Sequence, residues 1–196
     1  MANLGQLDLH ALLAFYRAGS AGWAAVMIAL TILGSGWAAV GLVPLVYSER
    51  TRRLGVALAV AVGTQATLVW WLKRVVGRVR PWIALGLPAP IGSPHDGSFP
   101  SGHAAGAFCV AAFLVVALPA AWPAPRGVVR AVAGALLVLA TSIASSRVYL
   151  GAHFPADVLC GALLGGAVGA IAGRVYAGAR GARPADGPVE RAPERG

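Results

Sequence analysis

Apolar residues fill most of the chain in runs separated by short polar clusters, and the lengths of those runs set the first expectation. A helix rises 1.5 Å per residue, so roughly 20 apolar residues cover the ~30 Å hydrocarbon layer of a bilayer. Residues 54–72, 102–121, 128–146 and 155–177 each meet or approach that length. The run 22–47 is longer, but Gly34-Ser35-Gly36 interrupts it. It predicts either one long span or a surface helix followed by a span. Residues 5–18 carry Asp8, His10 and Arg17 among apolar positions and predict a short amphipathic helix at an interface. From about Ala179 the chain is Arg, Pro, Gly and Ala without hydrophobic period, which predicts a disordered tail. The expected fold is all-α, a polytopic membrane bundle of about five to six helices. Residues 1–178 are expected to form one membrane-embedded domain, and 179–196 a cytoplasmic tail.

Composition removes the main alternative to a membrane protein. Of 196 residues, 58% are hydrophobic and only 12% charged, whereas a soluble domain carries about 25% charged residues. The 155–177 run is rich in Gly and Ala, and such small residues let helix backbones approach closely in lipid. Cys109 and Cys160 lie inside apolar runs and read as small buried hydrophobes, with neither a disulfide framework nor zinc-ligand spacing.

The net charge of +9 divides by position. If the spans alternate, Arg50 to Arg53, Arg126, Arg130 and Arg174 to Arg183 share one side, which the positive-inside rule makes cytoplasmic. Lys73 to Pro81, the 82–100 loop and Arg147 to His153 then lie on the other side. Their cations run against the rule, and binding an anion accounts for them. No basic stripe with interleaved aromatics lies on a polar stretch, so nucleic acid is not an expected partner. The partners expected from composition and charge are the lipid bilayer and an anionic ligand.

Three segments converge on that non-cytoplasmic face: Lys73 with Arg80-Pro81, Pro100-Ser101-Gly102-His103, and Ser146-Arg147 with His153 and Asp157. Singly, each has a plain reading as interfacial anchors, a capped helix start, or a polar pair at a helix end. Jointly they hold what phosphoryl transfer needs, which is positioning and stabilisation of negative charge. Arg80 and Arg147 offer planar forks for phosphate oxygens, and Lys73 adds a point charge. Ser101 and Gly102 open a helix whose free N–H groups favour an anion. Asp157, four residues beyond His153, can reach one ring nitrogen and leave the other free to attack phosphorus. His103 is placed to protonate the leaving oxygen. In the loop, His95 and Asp96 read either as substrate-selecting groups or as a solvated turn.

The spacing K-x6-R-P, P-S-G-H and S-R-x5-H-x3-D resembles the signature of the type-2 phosphatidic acid phosphatase and vanadium haloperoxidase superfamily. It covers residues 73–157, and the flanking helices fit the membrane-bound, undecaprenyl-diphosphatase-like branch. The resemblance implies a covalent phosphohistidine on His153, His103 as acid, and a phosphate cradle of Lys73, Arg80, Ser101, Gly102 and Arg147. It implies a phospholipid or isoprenoid phosphate as the anionic ligand, and neither metal nor cofactor. Val79 stands where many lipid phosphatases have proline, while Arg78 is present as a possible additional phosphate contact. The implied activity is that of a lipid phosphatase, with undecaprenyl pyrophosphate the favoured substrate and phosphatidylglycerol phosphate or phosphatidic acid the alternatives. A non-catalytic lipid-binding or transport protein of the same fold is the remaining reading. The family's haloperoxidases are large and soluble, unlike this chain.

Overall fold

The computed structural model describes residues 4–18, 20–35, 41, 43–90, 96–122 and 124–181. Regular structure among them is helical: α1 (Leu4–Phe15), α2 (Ala21–Leu33), α3 (Val43–Tyr47), α4 (Arg52–Val76), α5 (Pro81–Ala84), α6 (Gly102–Ala121), α7 (Arg126–Tyr149) and α8 (Pro155–Gly181). Of these, α4, α6, α7 and α8 are long and apolar enough to cross a membrane. The expected all-α polytopic bundle is what forms.

Helix α6 lies at the centre, packed on α8, α7 and α4. Its approach to α8 is set by Gly161, Gly165, Gly169 and Gly173, which recur every four residues and so share one helix face. Opposite them lie the carbonyls of Ser101, Ala105, Cys109 and Phe113, spaced by the same interval. A Cβ on Gly165 or Gly169 would run into the backbone oxygen of Ala105 or Cys109. Backbone therefore packs on backbone, the contact that drives helix association where lipid tails are as apolar as the side chains. Leu58, Ala61, Cys109, Phe113, Ala117 and Tyr176 fill the remaining core.

The run 22–47 does not form a single long helix. Helix α2 has 13 residues, about 20 Å of rise, and ends at Gly34. There the absence of a side chain admits Ile143 of α7. Thr31 meets Ser146 and Arg147 at the C-terminal end of α7. The Leu45 carbonyl accepts from Thr51 at the start of α4, at the opposite end of the bundle. Thr31 thus lies at one end of the bundle and Leu45 at the other, and the contacts of Asp8 and Arg17 put α1 at the end that holds the C-termini of α4 and α7. Helix α8 continues to Gly181, past the expected start of the tail, and residues 182–196 lie outside the described residues.

The four long helices alternate in direction. One end of the bundle therefore gathers the N-termini of α6 and α8 with the last turns of α4 and α7, which carry Lys73, Arg74 and Arg147. Helix N-termini present partial positive charge, and these cations add to it.

Candidate active site

All three motif segments meet at that end. Gly77 closes α4 in the left-handed conformation (φ 59°), its N–H bonded to the Lys73 carbonyl. Glycine adopts that conformation without the penalty a Cβ would bring. The turn directs Arg78 to Arg80 back across the bundle end, and Pro81 starts α5 at a position where its missing N–H costs nothing.

Arg80 is 1% exposed and makes four hydrogen bonds. Its Nη1 donates to the Ala152 carbonyl at 3.0 Å and to His153 Nε2 at 3.2 Å. Its Nη2 donates to Asp96 Oδ1 at 2.6 Å, and its Nε to the Asp96 carbonyl at 3.0 Å. Lys73 Nζ reaches Asp96 Oδ2 at 2.8 Å and the Gly97 carbonyl at 2.9 Å. Asp96 thus bridges two cations of the expected cradle and is no merely solvated turn residue. Burial pushes its carboxyl pKa up, but the hydrogen bonds and charges of Lys73 and Arg80 outweigh that and hold it below the usual range. His95 lies outside the described residues.

Arg147 is 3% exposed. Its Nη1 donates to the Thr31 hydroxyl, its Nε is buried without a partner among the described residues, and no carboxylate there pairs with it. Ser101 is the N-cap of α6, its Oγ accepting from Ala104 N–H at 3.5 Å. The Ser101 N–H donates to the Asp157 carbonyl at 2.9 Å, so it is not one of the free donors expected from sequence. The donors left at this helix start are the Gly102 and His103 N–H groups and the Ser101 hydroxyl proton. His103 lies one position into α6, beside Gly34 of α2.

His153 follows the end of α7 and precedes Pro155, the first residue of α8 as the sequence predicts. Its backbone N–H bonds back to the Arg147 carbonyl at 3.3 Å, which ties the two motif residues together. Burial pushes the ring pKa down to about 4; Asp157 opposes the shift, while Arg80, Arg147 and Lys73 add to it. The ring is neutral at physiological pH. Asp157 lies in the first turn of α8, and Oδ2 accepts from Phe154 N–H at 3.0 Å, as the acid of a capping box does. His153 Nδ1 stands 3.8 Å from Oδ2, too far for a direct hydrogen bond. Beside both lies the fully buried Ser98, its Oγ 3.4 Å from Nδ1 and 2.5 Å from Oδ2.

Arg78 does not point toward the cradle. Its Nη1 donates to Asp157 Oδ1 at 2.6 Å, its Nη2 to Asp8 Oδ2 at 2.7 Å, and its guanidinium covers the Phe154 ring. The expected extra phosphate contact is instead a bridge between two carboxylates behind His153. Asp8 of α1 also accepts from Ala156 N–H at 2.9 Å, capping α8. Sequence reading missed Asp8 and Ser98. Both sit in contexts with a bland local meaning, and only the fold brings them to Asp157.

Two cavities open beside these groups. One, of about 590 Å³, is lined by Lys73, Asp96, Gly97, Val69 and Trp70. The other, of about 490 Å³, runs between α2, α4, α6 and α7 and is lined by apolar residues such as Leu33, Val62, Val110 and Ile143. Gln65, Ala66 and Gly102 line both.

The model of the PAP2 superfamily matches residues 53–180, which include every motif residue just described. The chain belongs to the PAP2 superfamily. It is 31% identical over 148 residues to the decaprenylphosphoryl-5-phosphoribose phosphatase of Mycobacterium tuberculosis, covering 76% of each chain. To the undecaprenyl-diphosphatase of Sulfolobus acidocaldarius it is 33% identical over 120 residues, 60% of this chain and 52% of that one. The crystal structure of the transmembrane PAP2-type phosphatidylglycerolphosphate phosphatase of Bacillus subtilis superposes with a TM-score of 0.76 at 28% identity, covering 89% of this chain and 87% of that chain. This PAP2 chain is a multi-pass membrane protein, with α4, α6, α7 and α8 as its long apolar helices.

Proposed function

We propose that this membrane lipid phosphatase removes a terminal phosphate through a phosphohistidine on His153, at the non-cytoplasmic face. The observation that carries the reading is Arg147, a buried cation whose Nε has no partner, and which has no paired carboxylate, among the described residues. A buried charge left uncompensated costs several kcal/mol, so the site calls for an anionic ligand. Lys73, Arg80 and Arg147 all lie close enough to act on the His153 ring, and with the N–H groups at the start of α6 they suit the three equatorial oxygens of a transferring phosphoryl group.

In the reaction, Nε2 of His153 attacks phosphorus and the bond to the leaving oxygen breaks. His103 donates a proton to that oxygen. His103 then takes a proton from water as it attacks the phosphohistidine, which releases inorganic phosphate and restores both rings. Arg80 Nη1 lies 3.2 Å from Nε2, so it gives up that contact for a phosphoryl oxygen as Nε2 attacks.

The apolar cavity adjoining the cation-lined one supports a lipid substrate, with head group at Lys73 and chain between α4, α6 and α7. Among candidates, undecaprenyl pyrophosphate is tested first, against phosphatidylglycerol phosphate, phosphatidic acid and decaprenylphosphoryl-5-phosphoribose. Arg50, Arg52, Arg53, Arg126, Arg130, Arg174 and Arg180 cluster at the other end of the bundle, which supports placing that end in the cytoplasm.

The test is phosphate release from detergent-solubilised protein with each lipid, with and without His153→Ala. Loss of release together with an acid-labile phosphoenzyme in the parent protein is expected. Release that survives the substitution and depends on added divalent metal sinks the mechanism.

A further inference from the structure

The hydrogen-bond roles around His153 can be assigned from chemistry. Arg80 can only donate, and its Nη1 lies 3.2 Å from His153 Nε2, so Nε2 presents its lone pair. A neutral imidazole then carries its proton on Nδ1. The nearest acceptor to Nδ1 is the Ser98 hydroxyl at 3.4 Å, while Asp157 Oδ2 stands at 3.8 Å. Ser98 Oγ lies 2.5 Å from that same Oδ2, and an ionised carboxylate can only accept, so the hydroxyl proton points to Asp157. The resulting chain has one orientation: Nδ1–H to Oγ, then Oγ–H to Oδ2. Asp157 is held for the task, its Oδ1 by Arg78 and its Oδ2 also by Phe154 N–H.

We propose that Ser98 is a positioning residue, whose hydroxyl carries the contact between Asp157 and His153 and fixes the ring in the tautomer with Nε2 free. The inference rests on the reading of His153 as nucleophile. When Nε2 bonds to phosphorus the ring becomes cationic and keeps its Nδ1 proton. The Ser98 hydroxyl transmits the negative charge of Asp157 to that ring without a proton leaving Nδ1. Serine suits the position because it has both a donor and an acceptor and fits a fully buried space.

The experiment uses the full chain in detergent, with turnover of undecaprenyl pyrophosphate or, where faster, phosphatidylglycerol phosphate. Ser98→Ala is expected to lower kcat by 10- to 100-fold while KM and the inhibition constant of orthovanadate stay within about twofold. Ser98→Thr, which keeps the hydroxyl, is expected to recover most of kcat. Ser98→Ala added to Asp157→Asn is expected to cost less than about threefold further, because both break the same chain. Histidine ¹⁵N shifts report the tautomer directly, and Ser98→Ala is expected to lose the Nδ1-protonated signature of His153. If Ser98→Ala does not fold, Ser98→Cys keeps the volume with a weaker donor and carries the same expectation. Wild-type kcat in a folded Ser98 variant lacking the hydroxyl, or full additivity with Asp157→Asn, overturns the role of Ser98. His153→Ala in the same assay separates the two readings. Its continued turnover overturns the nucleophile, whereas its inactivity beside an unaffected Ser98→Ala overturns Ser98 alone.

Discussion

Asp96 Oδ1 lies 2.6 Å from Nη2 of Arg80, on the guanidinium whose other amino group lies against the lone pair of His153. With its second oxygen on Lys73, the Asp96 carboxylate holds two phosphate-binding candidates. An incoming phosphoryl group therefore competes with an internal anion. Asp96 is half exposed, so its contacts are worth roughly 1 kcal/mol, in the range of accessible ion pairs. Asp96→Asn is expected to lower the inhibition constant of orthovanadate about fivefold. A weaker inhibition would show that Asp96 orients the cations for substrate rather than competing with it.

The Arg78 bridge makes a second, opposite prediction. A phosphate ligand would show its loss in KM and in vanadate affinity. Arg78 is instead bonded to Asp157 and Asp8. Arg78→Ala and Asp8→Asn are expected to lower kcat about tenfold or less, with vanadate affinity within twofold. Steady-state kinetics of the two variants distinguishes the cases.

Packing of α6 on α8 gives a stability test with its own control. Gly165→Ala places a methyl group against the Ala105 carbonyl, which belongs to backbone and cannot rotate away. Overpacking of this kind costs about 1–3 kcal/mol. Gly166, one residue on, has open space where a Cβ would lie. Gly165→Ala is expected to lower the melting temperature in detergent by several degrees, and Gly166→Ala to leave it unchanged or slightly raised.

Protonation of His153 provides the pH prediction. Its ring pKa is pushed down to about 4 by burial, from an ordinary 6.5. Between those values the unfolded chain binds a proton that the folded chain excludes. Stability linked to this group is therefore complete above about pH 6.5 and is lost as pH falls toward 4. The melting temperature is expected to fall across that window. His153→Gln, which cannot take up the proton, is expected to remove part of the slope.

The motif positions and the start of α8 at Pro155 were legible because they depend on local spacing and helix-end chemistry. That α8 can be approached closely was legible from its Gly and Ala content, whereas the stripe of Gly161, Gly165, Gly169 and Gly173 against the α6 carbonyls came only from the fold. The direction of Arg78 was not. It is decided by the left-handed turn at Gly77 and by Asp8, 70 residues away in sequence. Asp96 looked like a solvated turn because its neighbours are Gly, Pro and Ser, and its partners come from α4 and from the segment after it. The break in residues 22–47 was visible at Gly34-Ser35. Its outcome, with Thr31 and α1 on the site side and Leu45 at the far end, followed only from the contacts of Thr31, Asp8 and Leu45.

Every group proposed for the chemistry sits at one end of the bundle, and none lies midway along the long helices. A lipid can present its phosphate there only from the leaflet that borders that end. In vesicles carrying the protein in one orientation, turnover would therefore stop once that leaflet is exhausted, and the other half of the substrate would wait on transbilayer movement. The alternating directions of α4, α6, α7 and α8 thus impose a sidedness on the lipid pool that the enzyme can draw from.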